Sequence, residues 1–339
     1  MAVPGWLAEL LGVDGDLEEG ARIEVDGRPL EVSHGIVRAP QLASAAQEQT
    51  SDAFGFKWAK RDTFESEASL ERARTWLVER YGDIETAPWW DDLGPSPLVI
   101  DVGCGAGMSA LELFGRRLAD VRYLGADISA AVDVAGARFA ERGLEPGLLQ
   151  ADFTDLPLPD GVAQVILAEG VLHHTDSTEG ALHAVARLLA PGGRLLLYVY
   201  AEKGPVREFT DDLIRARLQE MEPEEAWEAM MPLTRLGAAL GELDVEIDVP
   251  EPVDLLGIPA GRTSIQRLVY WNVVKAFHHP DLSLEEMNHI NYDWFAPLNA
   301  HRQTPEAVRS WCQAAGLEIE REVVEPAGIT MVARRTPAR

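Results

Sequence analysis

The stretch Val99-Ile100-Asp101-Val102-Gly103-Cys104-Gly105-Ala106-Gly107 decides the fold. Leu98 to Val102 is apolar except for Asp101, the composition of a strand buried on both faces. Glycines then stand at positions 103, 105 and 107, where a chain that turns tightly lets a ligand touch its backbone. The next helix is expected near Met108, its free N–H groups and positive end facing the loop, which suits a carboxylate or phosphate. A second apolar strand, Tyr123-Leu124-Gly125-Ala126, ends in Asp127, 20 residues past Gly107. A third segment, Leu148-Leu149-Gln150-Ala151-Asp152-Phe153, brings another acid 25 residues later. These spacings predict a nucleoside-bearing cofactor across the carboxyl ends of parallel strands. Asp127 is placed to accept both ribose hydroxyls, with Ile128 beside it. Asp152 is placed to accept from an exocyclic adenine amine, with Phe153 against the ring. Taken singly, each feature has a plainer reading: the glycines as a tight turn, Asp127 or Ser129 as a helix N-cap.

A dinucleotide fingerprint reads G-x-G-x-x-G. Here the third glycine comes one residue early, and Met108 stands where the dinucleotide pattern has glycine. The spacing G-x-G-x-G resembles the first motif of the class I S-adenosylmethionine-dependent methyltransferases. Asp152-Phe153-Thr154-Asp155-Leu156-Pro157 resembles that family's adenine-contact segment. Ala163 to Glu169, with Gly170-Val171-Leu172-His173-His174, resembles its fourth strand and turn. Ala181 to Leu189, then Ala190-Pro191-Gly192-Gly193 and Arg194 to Leu197, resembles its next helix, glycine pair and fifth strand. One departure is Gln164, where the family usually carries an acid. The resemblance implies a doubly wound, seven-stranded, mostly parallel, Rossmann-like α/β sheet. It implies S-adenosyl-L-methionine as cofactor, with Asp101, Gly103, Gly105, Gly107, Asp127, Ile128, Asp152, Phe153 and Glu169 as binding residues.

Composition narrows the substrate. The 339 residues hold 56 acids against 30 Lys plus Arg, a formal charge of −26. A phosphate polymer is repelled by such a chain unless a basic patch intervenes, and no basic run is longer than the Arg334-Arg335 pair. Nucleic acid is therefore disfavoured as a partner. No stretch approaches the roughly 20 apolar residues of a membrane span. The N-terminal Met1-Ala2-Val3-Pro4-Gly5 lacks the basic and apolar regions of a secretory signal. Two cysteines, Cys104 and Cys312, make no disulfide framework and fit a reduced, cytoplasmic setting.

Residues 1–45 read as a small leader. Trp6 to Leu11 suggests a short helix, and Arg22–Val25 and Arg28–Val32 around Asp26-Gly27 suggest a β-hairpin. Ser33 to Arg38 resembles the tail of the zinc-ribbon modules that precede some methyltransferases, but without cysteine pairs. Residues 46–200 and 303–339 read as the core. Within them, Gln47 to Trp58 resembles a segment that folds over the cofactor, and the alternation of Phe54, Phe56 and Trp58 also fits a short packed strand. Glu65 to Tyr81 has helical periodicity. Thr304-Pro305-Glu306 opens a helix that Gly316 closes, and Leu317–Val324 and Ile329–Arg334 read as an antiparallel pair at the sheet edge.

Residues 201–302 are too long for a loop and read as a mostly helical lid over the crevice, with helices at 208–221, 223–243 and 263–279. Candidate substrate residues are Trp58, Tyr200, Arg207, Tyr270, Trp271, Asn291, Trp294 and His301. Asn291-Tyr292-Asp293-Trp294-Phe295-Ala296-Pro297 is dense enough to suggest a binding loop, or an aromatic cluster closing the lid's own core. Arg207 reads either as a clamp for a carboxylate or phosphate or as a partner of Asp211 along a helix. His173 and His174, on the turn after the fourth strand, are the catalytic candidates: one imidazole there would serve as general base, or fix the loop. No histidine or cysteine pair has metal-ligand spacing, so no metal is expected. The expected function is methyl transfer to a small-molecule acceptor such as a secondary metabolite, sugar or amine, with a homodimer as the candidate assembly. The alternatives are a non-catalytic cofactor-binding or regulatory homologue and a nucleotide-dependent oxidoreductase.

Overall fold

The computed structural model describes residues 2–40 and 44–336. Met1, positions 41–43 at the leader's join and the last three residues of the expected core, 337–339, lie outside them. The leader supplies α1 (Gly5–Leu10), β1 (Arg22–Val25), β2 (Arg28–Ser33) and β3 (Ile36–Arg38). Asp26 and Gly27 both take positive φ, 50° and 76°, as a two-residue hairpin with the right twist requires. Next come α2 (Ala45–Ala59), α3 (Glu67–Tyr81), β4 (Leu98–Val102), α4 (Met108–Phe114), β5 (Arg122–Asp127), α5 (Ala131–Glu141), β6 (Gly147–Gln150), β7 (Ala163–Glu169), α6 (Thr178–Ala186) and β8 (Leu189–Tyr200). The insertion holds α7 (Pro205–Leu218), α8 (Pro223–Glu242), β9 (Glu246–Val249), β10 (Gly261–Ser264), α9 (Ile265–Asn272) and α10 (Leu284–Phe295). The chain returns through α11 (Pro305–Ala314), β11 (Leu317–Val324) and β12 (Gly328–Arg335).

The main sheet runs β1-β2-β3-β6-β5-β4-β7-β8-β12-β11. The seven core strands keep the expected doubly wound order, with β4 to β8 parallel and β12 antiparallel to both β8 and β11. Crossovers leave β4 in opposite directions, which opens a crevice at its carboxyl end. Strand alternation divides the core. Leu98, Ile100 and Val102 pack with α6, α11 and the leader, whereas Val99, Val165 and Leu167 face the side of α3, α4 and α5. Gln164 has a structural use here: its Oε1 accepts from the Leu98 amide at 2.7 Å and ties the starts of β7 and β4 together.

Three expectations need correction. The leader is not a separate ribbon-like unit, because β3 pairs in parallel with β6 and lengthens the sheet to ten strands. Arg38 on β3 bonds Gln150 on β6 and reaches Asp133 on α5 at 2.6 Å. Residues 47–58 are helical: Ser44 caps α2 through Gln47 N–H, and the Phe54/Phe56/Trp58 alternation reflects a helix with apolar neighbours on more than one side. Within the lid, 291–295 belong to α10, started by a Ser283–Glu286 capping box, and the 263–279 helix shrinks to α9 behind the unforeseen β9–β10 hairpin.

Leu7 on α1 is fully buried in the same core as the central strands. Leu7→Ala is therefore expected to destabilise the whole protein by about 2–5 kcal/mol. Urea unfolding followed by far-UV dichroism checks this, with one transition moving as a unit. A separate early transition for the leader would contradict its integration into the sheet.

Candidate functional site

A cavity of about 510 Å³ opens at the carboxyl ends of the parallel strands, within the roughly 300–1,000 Å³ usual for small-molecule sites. Its floor takes Gly103 and Met108 after β4, Asp127 and Ile128 after β5, Phe153 after β6, and Glu169, Gly170 and Val171 after β7. The glycine loop is fixed from behind. Gly103 and Cys104 N–H groups donate to the Ala126 carbonyl, and Gly105 N–H donates to Asp127 Oδ2 at 2.8 Å. Gly103 has φ of 65°, and a Cβ there would stand 2.0 Å from Val171 Cγ2; Gly105 has φ of 52° with the Trp58 indole 2.7 Å from where its Cβ would be. Both positions need glycine on two counts, backbone angle and space.

Asp127 is buried and lines the cavity. Its Oδ1 accepts from Ser129 N–H and Oγ, while Ser129 Oγ in turn accepts from Ala131 N–H at the start of α5. Burial raises the Asp127 carboxyl, and these hydrogen bonds pull it back. Oδ1 thus has both lone pairs engaged, while Oδ2, which accepts only from Gly105 N–H among the described residues, keeps capacity for a further donor. The predicted cap and the predicted ligand position thus coexist in one residue.

Four other expected cofactor residues lie off the cavity wall. Asp101 alternates to the face of Tyr123, whose hydroxyl donates to it at 2.8 Å. Burial lifts the Asp101 carboxyl to about 7. Gly105 sits under Trp58, and Gly107 starts α4 with φ of 70°. Asp152 turns its Oδ1 back to Thr154 N–H and Oγ1, capping a short helical turn. Glu169 does face the cavity, but its carboxylate is engaged by Arg80 at 3.1 Å and by the Tyr81 hydroxyl. It is a buried ion pair rather than a solvated acid.

The two histidines separate. His173 is fully buried, lies off the cavity wall, and stacks on Tyr200 with ring centres 3.8 Å apart. Burial, then His174, drives its pKa well below the usual value. His174 lines the cavity. Its Nδ1 lies 2.6 Å from the Asn299 carbonyl, which requires the proton on Nδ1 and leaves the lone pair on Nε2. Among the described residues Nε2 has no partner. Burial lowers His174 to about 4, so it is neutral at ordinary pH.

Of the candidate substrate residues, Trp58, Tyr200, Arg207, Tyr270, Trp271 and Trp294 line the cavity. Arg207 is already paired: both Asp211 oxygens lie 2.8 Å from its Nε, and Nη1 donates to the Tyr270 carbonyl. The helix-pair reading describes it, and the free-clamp reading does not. Asn291 lies in the lid's interior, donating to Thr234 Oγ1 and accepting from Phe277 N–H. His301 is exposed beside a shallow depression with Glu202 and Arg302.

Sequence reasoning missed the centre of the wall. Lys57 of α2 is buried, forms an ion pair with Asp293 of α10, and lies 3.9 Å from the centre of the Trp58 ring. Tyr200 Oη donates to the other Asp293 oxygen at 3.0 Å. Burial opposes the charge on both partners. It holds Lys57 down, whereas Lys57, Lys275 and His174 hold Asp293 well below the usual carboxylate range. Tyr198 also lines the cavity; strand alternation from Tyr200 would have found it. Among the described residues no cluster of three or more His, Cys, Asp or Glu could hold a metal, and no helix is long and apolar enough to cross a membrane.

Comparison with known proteins adds a family. Residues 100–197 match the family described as "Methyltransferase domain". The mouse (Mus musculus) probable tRNA methyltransferase 9B is 32% identical over 139 residues, 38% of this chain and 29% of that protein. The Thermus thermophilus demethylmenaquinone methyltransferase is 39% identical over 101 residues, 29% of this chain and 45% of that protein. The chain thus spans less than half the length of either relative. A Burkholderia thailandensis 1,6-didemethyltoxoflavin-N1-methyltransferase crystallised with S-adenosylhomocysteine aligns with a TM-score of 0.43 at 15% identity, over 94% of this chain and 100% of that one.

Removing one partner of a buried ion pair costs about 3–5 kcal/mol, and because the Asp293 side chain is 30% exposed to the cavity the lower end is expected for Lys57→Met. Adding Asp293→Asn should restore part of that loss. Urea denaturation of both single variants and the double variant measures the coupling; additivity within about 0.5 kcal/mol would mean that the two groups act independently.

Proposed function

Starting from a methyltransferase domain of the class I, S-adenosylmethionine-binding type at residues 100–197, we propose that the whole chain methylates a small-molecule acceptor. One observation carries the reading. A single cavity runs from the ends of four parallel strands, where the glycine loop and Asp127 stand, to an aromatic wall built by the lid. The residues present suit the cofactor. Asp127 offers a remaining Oδ2 lone pair to a ribose hydroxyl, Ile128 and Phe153 offer apolar surface to a base, and Gly103 lets the backbone come close. S-adenosylmethionine, when bound, supplies a methyl group made electrophilic by its sulfonium.

The chain's own task is then positioning and proton removal. Phe54, Trp58, Tyr200 and Trp294 form apolar and aromatic walls that hold a flat acceptor and exclude water. His174 is the proposed general base: a neutral imidazole in the cavity lining, oriented by Asn299, whose buried Nε2 lone pair has no partner among the described residues. His173 backs the Tyr200 ring. Asp293, paired with Lys57, orients the Tyr200 hydroxyl.

Some relatives are named for tRNA, others for small molecules. The net charge of −26 and a cavity partly walled by lid helices support a small acceptor over a nucleic acid. A cytoplasmic location is proposed on the same footing, from two buried, unpaired cysteines.

Calorimetric titration with S-adenosylhomocysteine, S-adenosylmethionine and NADH tests the cofactor. Micromolar binding of the two adenosyl ligands alone is expected, and Asp127→Ala should weaken it by about 1–3 kcal/mol. Binding of NADH alone, or an unchanged affinity in the variant, would overturn the assignment. Tritium transfer from methyl-labelled cofactor to a small-molecule panel, with unmodified tRNA in parallel, tests the acceptor class; label in tRNA only would overturn it. With a turned-over acceptor in hand, the acid limb of kcat should fall near pH 4 rather than 6.5, because burial holds His174 at about 4 in the folded protein.

A further inference from the structure

The lid side of the cavity gathers cations that no carboxylate meets in direct ion-pair contact among the described residues. Lys203, Lys275, Arg72 and Arg267 all line it. Among the described residues none of the four has a side-chain nitrogen within 4.0 Å of a carboxylate, although the Lys203 backbone N–H donates to Glu208 at 2.6 Å. The acids on that side are committed elsewhere: Asp211 to Arg207 and the Trp294 indole N–H, Asp293 to Lys57 and Tyr200, Glu208 to Arg302, and Glu325 to Arg80 at 3.6 Å. Lys275 is buried, and its ammonium donates only to the Ile290 carbonyl at 3.0 Å. Lys203 donates to the carbonyls of Ala201 and Ala327. An ammonium has three donors, so both lysines retain unused ones.

The four cations fall in two pairs along the same cavity wall. Lys275 and Lys203 lie 4.8 and 5.1 Å from the Trp294 ring centre. The Arg72 guanidinium is 5.3 Å from Phe277 and that of Arg267 is 5.3 Å from Tyr270, two rings whose centres are 6.2 Å apart. Like charges brought together out of water cost free energy unless a counter-charge fills the space. In a chain with 26 excess negative charges, a group of unpaired cations in one cavity marks a place built to receive an anion.

Resting on the methyl-transfer reading, we propose that the acceptor is an aromatic small molecule bearing a carboxylate or phosphate, its ring against Trp294, Tyr270 and Phe277 and its anion held by Lys275, Lys203, Arg72 and Arg267. Burial brings Lys203 and Lys275 each down to about 7, so an arriving anion restores their charge and is bound with proton uptake above neutral pH.

The test titrates the full chain, saturated with S-adenosylhomocysteine, with 2-naphthoate, 2-naphthyl phosphate and the neutral 2-naphthamide. At least one anion is expected to bind about tenfold or more tighter than the amide, the ratio that charge-assisted hydrogen bonds provide. In Lys275→Met, and separately in Arg72→Gln/Arg267→Gln on the more open part of the wall, the ratio should fall to about threefold or less. Equal binding of the amide, no binding of either anion at millimolar concentration, or a ratio unchanged in both variants would overturn the proposal. If S-adenosylhomocysteine binds and no anion preference appears, the anion site alone falls. If S-adenosylhomocysteine does not bind and the preference survives in its absence, the methyltransferase reading falls and the anion site stands.

Discussion

The ion pair between Lys57 and Asp293 is the contact on which the cavity depends. Lys57 comes from the helix that precedes the core and Asp293 from the lid, 236 positions later. Tyr200, at the end of the last parallel strand, bonds the same carboxylate. Three parts of the chain with no covalent reason to meet are therefore pinned at one point beside the strand ends. Apolar packing alone would hold α2 and α10 together but would leave their relative rotation loosely set. A charged pair with a shared phenol acceptor has few alternative geometries, and breaking it strands a carboxylate among Trp58, His174 and Tyr200. The pair thus converts a hydrophobic contact between helices into a defined wall.

The sheet supplies the other half of the site, and it does so by alternation. In β4, Leu98, Ile100 and Val102 must face one layer, so Asp101 must face the other, where Tyr123 waits. The acid at the motif's centre therefore stiffens the sheet beneath the glycine loop. The acid at the end of the next strand has no such partner strand above it and emerges at the cavity. Two residues that look equivalent in the sequence take different roles because one lies within a strand and the other at its tip.

What was legible in the sequence followed the range of the forces. The parallel core, the glycine loop, the Asp-Gly hairpin and the Thr304 cap are local, each set by a few neighbouring residues. The Asp127 position followed from spacing because strand length and crossover length fix it. The lid was legible only as an insertion. Its β9–β10 hairpin has polar strands, Glu246–Val249 and Gly261–Ser264, that offer no alternating apolar face to read. Residues 291–295 resembled a loop because their aromatic rings face the cavity and the lid's interior on different sides, which erases a single stripe. Asn291 and His301 were chosen by residue type, but their helix face and exposure, which are tertiary facts, decide where they point.

The distribution of charge argues for a division of labour between surface and site. Most of the arginines on the outside are matched: Arg61 with Glu65 and Glu141, Arg309 with Glu306 and Glu322, Arg194 with Glu320. Such exposed pairs add little stability and mainly cancel positive potential. The excess acids then set a negative surface, which keeps polyanions away and the protein soluble. Inside the cavity the balance reverses, since Asp127, Glu169 and Asp293 are each occupied by protein donors while the lid lysines meet only backbone carbonyls among the described residues. A small anion that gets past the rim meets unscreened cations between aromatic faces, where the effective dielectric is low and the attraction is strong. A polyanion meets the surface first. In the proposed reading, selection by size and by charge is one physical effect, produced by placing cations without ion-pair partners in the cavity wall and the unmatched acids on the surface.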